Sequence, residues 1–451
     1  MSPRRPSPRT TDETVFLKAG EATGERMRLS VYDLVAGAFN SPRTFYYRQK
    51  LDVAALRESL VATLRHYPLI TGRLAREDDG GLAVLCTDGG VPFTETYSDR
   101  PMPDYGPGVS AKGDLPSYTH KLRQFRLIAN DTPLLSVRVT HMEGGGSVLG
   151  TTFNHALVDG SAYLGFMKHW SSVHLGQDYR PAPFARTLLD SLSEGAPPEA
   201  GAQSKQYELV TGRQKLGFIL RVNAKAPQVR TISLRFTADE VGALKEHARS
   251  GLTGDQWLST GDVLGAHLWK VLAELRDRPA DRTERLALVI SMRSVLAASA
   301  LPDGYGGNAV TNTTAALSAG ELRGASLAEA GLAVRAAVAN VTPEWVRDEA
   351  AFLGTQARAG RLNRVMSRMA RDSFEGTVAL NNVSRLPVYE LDFGSGTPFW
   401  FESPSNPVPW TLLVNPTSAG DDSRDIHFSV PREAADAILT PEWSKRLHAY
   451  A

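Results

Sequence analysis

The chain has 451 residues, one cysteine, and 50 Lys and Arg against 49 Asp and Glu, for a formal net charge of +1. This balance argues against a nucleic-acid-binding protein, which needs a basic excess to reach phosphates. No stretch approaches the roughly 20 apolar residues of a membrane span. The lone thiol, Cys86, excludes a disulfide framework and a cysteine-based zinc site. Because Cys86 follows an apolar run, we expect a buried inert thiol rather than a reactive one, in a cytoplasmic protein.

Helical and strand patterns alternate along the chain, which predicts an α/β fold. Residues 1–12 are rich in Arg, Pro and Ser and predict a disordered tail, without the apolar segment of a secretory signal. Capping boxes at Thr237/Glu240 and Ser326/Glu329 mark two helix starts. The predicted helices are 52–66, 161–176, 237–247 and 326–340, and the predicted strands are 134–141, 147–153, 286–292, 412–414 and 426–430.

A shift in composition predicts two halves. The segment from Asp178 to Lys205 is rich in Pro, Ser, Gly and Glu and carries few periodic apolar residues, which is typical of a surface crossover. We place an N-terminal lobe at 1–200, a crossover at about 178–215, and a C-terminal lobe at 201–451.

The sharpest local pattern is the run NHALVDG at 154–160, where a strand leads directly into a histidine. Histidine is the side chain best suited to accept a proton near neutral pH, so His155 is a candidate general base. Asp159 has two interpretations: it orients His155 as in a catalytic triad, or it holds the turn by pairing with a buried arginine. A second His-x-x-x-Asp match, His174 and Asp178, lacks the following glycine and is not predicted to be catalytic.

This run resembles the HxxxDG motif of the BAHD acyltransferases, which move an acyl group from coenzyme A to an alcohol or amine. Five further segments are similar to that family in the same order. They are LSVYD at 29–33, HYPLITGRL at 66–74, STGDVLGAHLW at 259–269, LPDGYGGN at 301–308 and DFGSGTP at 392–398. The resemblance implies two chloramphenicol-acetyltransferase-like lobes, each a mixed β-sheet with flanking helices, with an active-site channel between them.

The resemblance also implies roles for residues of the motif. His155 would be the general base in a ternary complex, without a covalent acyl-enzyme. Asp159 and Gly160 would be structural, and Asp159 would pair with the arginine at the matching position of the second half, Arg293. Asn308 would come from the second lobe, and we expect it to face the channel.

The DFGxG segment in the family shapes the coenzyme channel, and the resemblance assigns Asp392, Gly394, Gly396 and the nearby Ser384 to it. Here Ser395 replaces the usual tryptophan. Plant members commonly show Thr-Ser-Trp where this chain has NNV at 381–383. We predict that the amide of Asn381 donates to the oxyanion, and the alternative is a plain strand-end asparagine.

Three functions remain open from the sequence. The first is an acyl-CoA-dependent O- or N-acyltransferase of specialised metabolism. It would be monomeric, with acyl-CoA as co-substrate, a small-molecule acceptor, and no permanently bound cofactor. The second is a condensation-type acyltransferase with a carrier-protein-bound donor, which usually shows two adjacent histidines where this chain has Asn154 and His155. The third is a non-catalytic ligand-binding descendant. No histidine has partners at metal-ligand spacing, so we predict no metal.

Overall fold

The structure is a computed structural model that describes residues 12–36, 40–78, 81–104, 118–120, 122, 132–181, 186–193, 203–296, 301–302, 304–403 and 408–451. All of the predicted tail except Asp12 lies outside these residues. So does much of the predicted crossover.

The strands of the described residues, in chain order, fall into two large and two small sheets. They are β1 Glu13–Leu17, β2 Arg26–Arg28, β3 Asn40–Tyr47, β4 Arg73–Arg76, β5 Leu82–Leu85, β6 Val91–Pro101, β7 Leu135–Glu143, β8 Ser147–Asn154, β9 Tyr207–Leu209, β10 Val229–Phe236, β11 Thr283–Ser291, β12 Val310–Ser318, β13 Val365–Ser367, β14 Val378–Asn382, β15 Trp400–Glu402, β16 Thr411–Pro416 and β17 Arg424–Pro431.

The helices of the same residues flank these sheets. They are α1 Val31–Ala36, α2 Val53–Leu64, α3 Gly160–His174, α4 Gly212–Lys225, α5 Ala238–Ser250, α6 Thr260–Arg276, α7 Ala319–Gly324, α8 Leu327–Ala339, α9 Pro343–Arg358, α10 Arg368–Asp372, α11 Arg432–Ile438 and α12 Pro441–Leu447.

Each half of the chain builds one mixed sheet. The first has the strand order β1-β6-β7-β8-β3-β15, and the second has the order β10-β17-β16-β14-β11-β12. In the first sheet β6 and β7 are parallel, and in the second β14 is parallel to both β11 and β16, while the other pairs are antiparallel. The predicted α/β architecture with two sheet-containing lobes is therefore confirmed.

The helices bury their apolar faces on these sheets. In the first lobe α2 and α3 pack against each other, and Leu56, Leu60 and Trp170 are fully buried in one core. In the second lobe α5, α6 and α8 pack against one another, and Trp269 is fully buried in a separate core. Burying a large apolar side chain contributes about 2 kcal/mol, so both lobes hold substantial cores of their own.

One strand of the second half leaves its own lobe. β15 pairs antiparallel with β3, with Phe401 opposite Phe45, and so completes the first sheet. The DFGSG segment just before it reaches the first lobe as well, because the Tyr47 hydroxyl donates to the Leu391 carbonyl oxygen at 2.9 Å. The two halves are therefore joined by the backbone hydrogen bonds between β15 and β3 and by the buried hydrogen bond of Tyr47.

The end of the predicted crossover contains regular structure. β9 pairs with β13 over Tyr207–Leu209, and α4 begins at Gly212. A three-residue strand is too short to show a period in the sequence. The division into two lobes joined by a crossover at about 178–215 stays a prediction.

Candidate active site

The end of β8 presents His155 from a rigid base. All eight residues of β8 are buried, and Asn154 closes the strand by accepting a hydrogen bond from the Ala156 amide at 3.0 Å. The turn leads into α3, where Asp159 caps the first turn by accepting from the Ala162 amide at 2.9 Å. Capping residues of this type fix where a helix begins, so the short segment 155–159 has little freedom.

The hydrogen bonds of Asn308 determine the tautomer of His155. The Asn308 amide nitrogen donates to the His155 carbonyl oxygen at 2.8 Å and to Oδ1 of Asp33 at 2.8 Å. Because both of these partners are acceptors, it is Oδ1 of Asn308 that lies 3.0 Å from Nδ1 of His155. Nδ1 therefore carries the proton, and Nε2 keeps a lone pair available for a substrate.

A buried ion pair holds Asn308 in place from behind. Asp33 is fully buried and also accepts from the Asn308 backbone amide at 3.1 Å. Arg186 neutralises this carboxylate, with Nη1 2.9 Å from Oδ2 of Asp33. Sequence reasoning missed the role of Asp33 toward His155. Asp33 belongs to the run LSVYD at 29–33, which the sequence analysis singled out. That run lies far from residue 308 along the chain, so the contact between Asp33 and Asn308 was not predicted.

Burial lowers the pKa of His155 below its ordinary value, and the positive charge of Arg43 acts in the same direction. The carboxylate of Asp159 and the hydrogen bond to Asn308 oppose this shift only in part. A lowered pKa keeps the imidazole neutral at physiological pH, which is the state that a general base requires.

Asp159 makes no hydrogen bond to His155 among the described residues and pairs across the lobes with Arg293. Nη1 of Arg293 lies 2.7 Å from Oδ2 of Asp159, and the Ala309 amide donates to the same oxygen at 2.9 Å. Arg293 also donates to the carbonyl oxygens of Tyr305 and Gly307 at 2.7 and 3.0 Å. These contacts agree with the interpretation in which the Asp159 carboxylate holds the turn by pairing with an arginine.

A cavity of about 330 Å³ lies between the two sheets and contains His155. Residues of both halves line it. From the first half come Arg43, His155, Asp159, Gly160, Ser161, Tyr163 and Leu164, and from the second come Tyr207, Val289, Ser291, Val310, Thr311, Asn312, Ser367, Met369, Asn381, Asn382, Val383, Leu386, Val388, Phe401, Ser403 and Leu413.

The structure brings Asn381 and Gly160 to this cavity together with His155. Asn381 lies near the end of β14, and its side chain makes no hydrogen bond within the described part of the chain, which leaves its amide available. Gly160 lies opposite Leu386, where an added Cβ would meet the leucine methyl at 3.5 Å, an ordinary contact.

Asn308 does not line the cavity as we expected. It is 1% exposed and stands behind the imidazole, where it positions His155 instead of facing a channel. The sequence placed it in the right lobe. The direction of the Asn308 side chain depends on its hydrogen bond to Asp33, and no local sequence pattern connects these two residues.

Ser384, Asp392, Gly394 and Gly396 also lie outside the lining of the cavity around His155. The Asp392 carboxylate accepts from the Gly394 amide at 2.8 Å, and the Ser171 hydroxyl of α3 donates to the Asp392 carbonyl oxygen at 2.6 Å. Gly394 and Gly396 have φ of 76° and 80°, which favours glycine at both positions. The segment therefore fastens the second half to α3.

The remaining sequence candidates lie apart from this site. Cys86 is a buried free thiol, and the ring of His174 contacts the Ser59 hydroxyl at 3.0 Å. Within the described ranges, no cluster of three or more His, Cys, Asp and Glu side chains is placed to hold a metal ion. No helix there has the length and apolar character to cross a membrane.

Two mixed sheets with a cavity between them, and a histidine at that cavity, form the two-lobed arrangement that the sequence predicted. The chain belongs to the family described as "Transferase family", the BAHD acyltransferases, whose model matches residues 9–439. It is an acyltransferase that uses an acyl-CoA donor and a small-molecule acceptor.

Curated relatives and solved structures match nearly the whole chain. Shikimate O-hydroxycinnamoyltransferase of Nicotiana tabacum is 25% identical, over 94% of this chain and 96% of its own. Hydroxycinnamoyl-CoA:5-hydroxyanthranilate N-hydroxycinnamoyltransferase HHT4 of Avena sativa is 27% identical, over 93% and 96%.

The structural likeness concerns the fold alone, because sequence identity is low. F. graminearum TRI101 complexed with coenzyme A and T-2 mycotoxin has a TM-score of 0.71 at 15% identity, over 93% of this chain and 98% of its own. Vinorine synthase has a TM-score of 0.68 at 18% identity, over 96% and 98%.

Proposed function

We propose that His155 is the general base of this acyltransferase and that transfer is direct, within a ternary complex. The observation that carries the proposal is the fixed tautomer, in which Nδ1 donates to Asn308 and Nε2 keeps its lone pair. Nε2 takes the proton of the acceptor hydroxyl or amine as the oxygen or nitrogen attacks the thioester carbonyl. The tetrahedral intermediate then collapses, the C–S bond breaks, and the proton passes from His155 to the departing thiolate.

Positioning supplies much of the rate in such a mechanism. Holding both substrates in one cavity makes the attack effectively unimolecular, which is worth several kcal/mol of the barrier. We propose that the Asn381 amide donates to the oxyanion, since it lines the same cavity as His155 and is free of other hydrogen bonds in the described residues. Asp159 and Arg293 act structurally by joining the two halves behind the base.

The apolar walls favour a large acyl group with a planar apolar part. About half of the lining residues are apolar or aromatic, including Leu164, Val289, Leu386 and Phe401. Because the relatives reported above are hydroxycinnamoyltransferases, we propose a hydroxycinnamoyl-type CoA thioester as the first donor to test. A short acyl chain would leave much of this apolar surface in contact with water.

We also propose that the two halves, 1–200 and 201–451, work as one unit and that the protein acts as a cytoplasmic monomer. Both halves of a single chain line the cavity, so no second copy is required to complete it. The buried free thiol of Cys86 is compatible with a reducing compartment.

Intact mass of acceptor candidates, after incubation with p-coumaroyl-, acetyl- and malonyl-CoA, tests the proposal. The expected result is an acceptor that gains the acyl mass while free coenzyme A is released, with no acylated protein. Transfer from an acyl carrier protein but not from free acyl-CoA would favour the condensation-type alternative. No transfer from either donor would favour a non-catalytic binder.

A further inference from the structure

The cavity contains a cation, Arg43, that takes no direct part in the proposed proton transfer. Arg43 lies on β3, where side chains alternate between the two faces of the sheet. Phe45 and Tyr47, on the same face, are fully buried in the core of the first lobe. Arg43 continues that face beyond the core and lines the cavity together with His155.

Arg43 has no carboxylate partner in the described part of the chain. Nη1 donates to the carbonyl oxygen of the adjacent Pro42 at 2.8 Å, and no ion pair involves the guanidinium there. Burial lowers the pKa of Arg43 below its ordinary value. Arg43 is partly buried, and a guanidinium that borders a cavity without a paired anion is placed to bind one from a ligand.

The rest of the cavity offers no internal anion to this cation. Among the described lining residues the only carboxylate is Asp159, and it is held by Arg293 and by two backbone amides. Tyr163 faces Thr151, with 2.7 Å between the two hydroxyl oxygens. The cavity beside His155 therefore carries a positive charge that no anion of the described residues compensates. About half of the lining is apolar, so the attraction of this charge for an anion is stronger than it would be in water.

We propose that Arg43 binds a carboxylate of the small-molecule substrate, on either the acceptor or the acyl group. The planar guanidinium presents paired N–H donors that match a carboxylate. The phosphates of coenzyme A lie at the far end of the pantetheine arm from the thioester, so an arginine beside the base meets the reacting groups instead. The proposal rests on the proposed function, because it assigns the substrate class of the same cavity.

The same charge would exclude cationic substrates. A protonated amine next to Arg43 would meet a like charge with little water between them, which costs binding energy. We therefore expect a carboxylate-bearing acceptor or acyl group to be preferred to a neutral isostere, and a cationic acceptor such as agmatine to be rejected.

The test uses matched substrate pairs with the native chain and the Arg43→Gln variant. The acceptor pair is 3-hydroxybenzoate and 3-hydroxybenzamide with a neutral acyl-CoA, and the donor pair is malonyl-CoA and propionyl-CoA with a neutral acceptor. Arg48→Gln is the matched control, because Arg48 lies just beyond β3 and packs over the Phe399 ring, outside the cavity.

We expect the native chain to prefer the carboxylate member of one pair. The pair that shows this preference identifies whether the bound carboxylate belongs to the acceptor or to the acyl group. Arg43→Gln should raise KM for that member by about 10- to 100-fold, as expected for the loss of a hydrogen bond between charged groups. With Arg43→Gln, KM for the neutral member should stay within about 3-fold of the native value. With Arg48→Gln, KM for both members should stay within the same range. An equal loss for both members, or no preference in the native chain, would overturn the assignment.

Calorimetric binding of the same four probes separates this inference from the proposed function. Carboxylate binding that Arg43→Gln removes, without turnover of any pair, would support the anion site and contradict the acyl transfer. The melting temperature of Arg43→Gln should stay close to the native value, because Arg43 is partly exposed and the substitution breaks no ion pair among the described residues. A lower melting temperature with unchanged binding would make Arg43 structural and overturn the proposal.

Discussion

Asn308 and His155 exchange two hydrogen bonds: Nδ1 of the imidazole lies 3.0 Å from the amide oxygen, and the amide nitrogen donates to the His155 carbonyl at 2.8 Å. These contacts join the two lobes at the proposed base. They also leave the Nε2 lone pair available, since the Asn308 amide nitrogen donates to Oδ1 of Asp33 and the amide oxygen therefore faces Nδ1. The tautomer of the proposed base depends on a residue that does not line the cavity.

Replacing Asn308 with alanine should reduce kcat more than it changes KM. Nδ1 would lose its acceptor and the imidazole could adopt the other tautomer, which places a proton on Nε2. General-base catalysis is worth about 10²–10⁴-fold, and we expect a loss of about 10- to 100-fold because part of the imidazole population stays competent. Steady-state kinetics measures the split, and a rise in KM with unchanged kcat would contradict the positioning role.

The activity should fall on the acid side with an apparent pKa below the ordinary histidine value of about 6.5. Burial lowers the pKa of His155, so the neutral form that accepts the proton persists to lower pH. The measurement is kcat/KM against pH in buffers of constant ionic strength. An acid limb above about pH 7 would show that His155 is not the titrating base.

Arg293→Ala should destabilise the fold by about 3 kcal/mol. It strands the Asp159 carboxylate, which is 3% exposed and would keep only two backbone amide donors. Chemical denaturation gives the free energy of unfolding. The control is Arg347→Ala, which breaks an exposed pair with Glu344 on α9 and should cost less than about 0.5 kcal/mol. Equal stability of the two variants would contradict the cross-lobe pairing.

Asn381→Ala should lower kcat by about 10²–10³-fold with little change in KM, because an oxyanion donor acts in the transition state. Asn382 is the competing donor, since it lines the same cavity and its side-chain nitrogen remains able to donate while its oxygen accepts from the Ser384 amide at 3.1 Å. Kinetics of both alanine variants distinguishes them. A larger effect at Asn382 would move the oxyanion site by one residue.

Glu349 should make the stability depend on pH. This side chain is 1% exposed, accepts from the Thr311 hydroxyl at 2.6 Å, and has a pKa that burial raises to about 8. An unfolded chain loses this proton near pH 4.3, roughly the ordinary value. The stabilisation is therefore fully present below that pH and is lost as the pH rises towards about 8.

Glu349→Gln cannot ionise, so its melting temperature should decline less than the native value between about pH 5 and pH 8.5. Glu344→Gln, an exposed change on the same helix, should keep the native slope. Parallel slopes for the native chain and Glu349→Gln would show that this carboxyl is ionised in the folded protein throughout the range.

Local signals predicted much of the fold. Apolar periodicity and capping pairs located α2, α3, α5 and α8 to within a few residues, because a helix start is specified by the residues that satisfy its first amides. The return of β15 to the first sheet was not predicted, because three residues carry no period and their partner strand lies more than 350 positions away.

In the candidate site, too, local motifs could be predicted from the sequence, whereas contacts across the lobes could not. The motif around His155 could be recognised because the strand, the turn and the helix cap occur within ten residues. Asn308 was predicted to face the channel, whereas it lies behind the imidazole in the structure, and Arg43 was not singled out. The environments of both residues depend on which side chains meet across the lobes. The local sequence shows neither that Arg43 lacks a carboxylate partner among the described residues nor that Asp33 lies behind Asn308.

The central claim is that Nε2 of His155 removes the proton of the acceptor. The most direct measurement is the rate of acyl transfer by His155→Ala beside the native chain, with His174→Ala as the control from the second His-x-x-x-Asp match. We predict that His155→Ala loses about 10²–10⁴-fold in kcat while the control keeps native activity. Equal rates for the native chain and His155→Ala would contradict the mechanism.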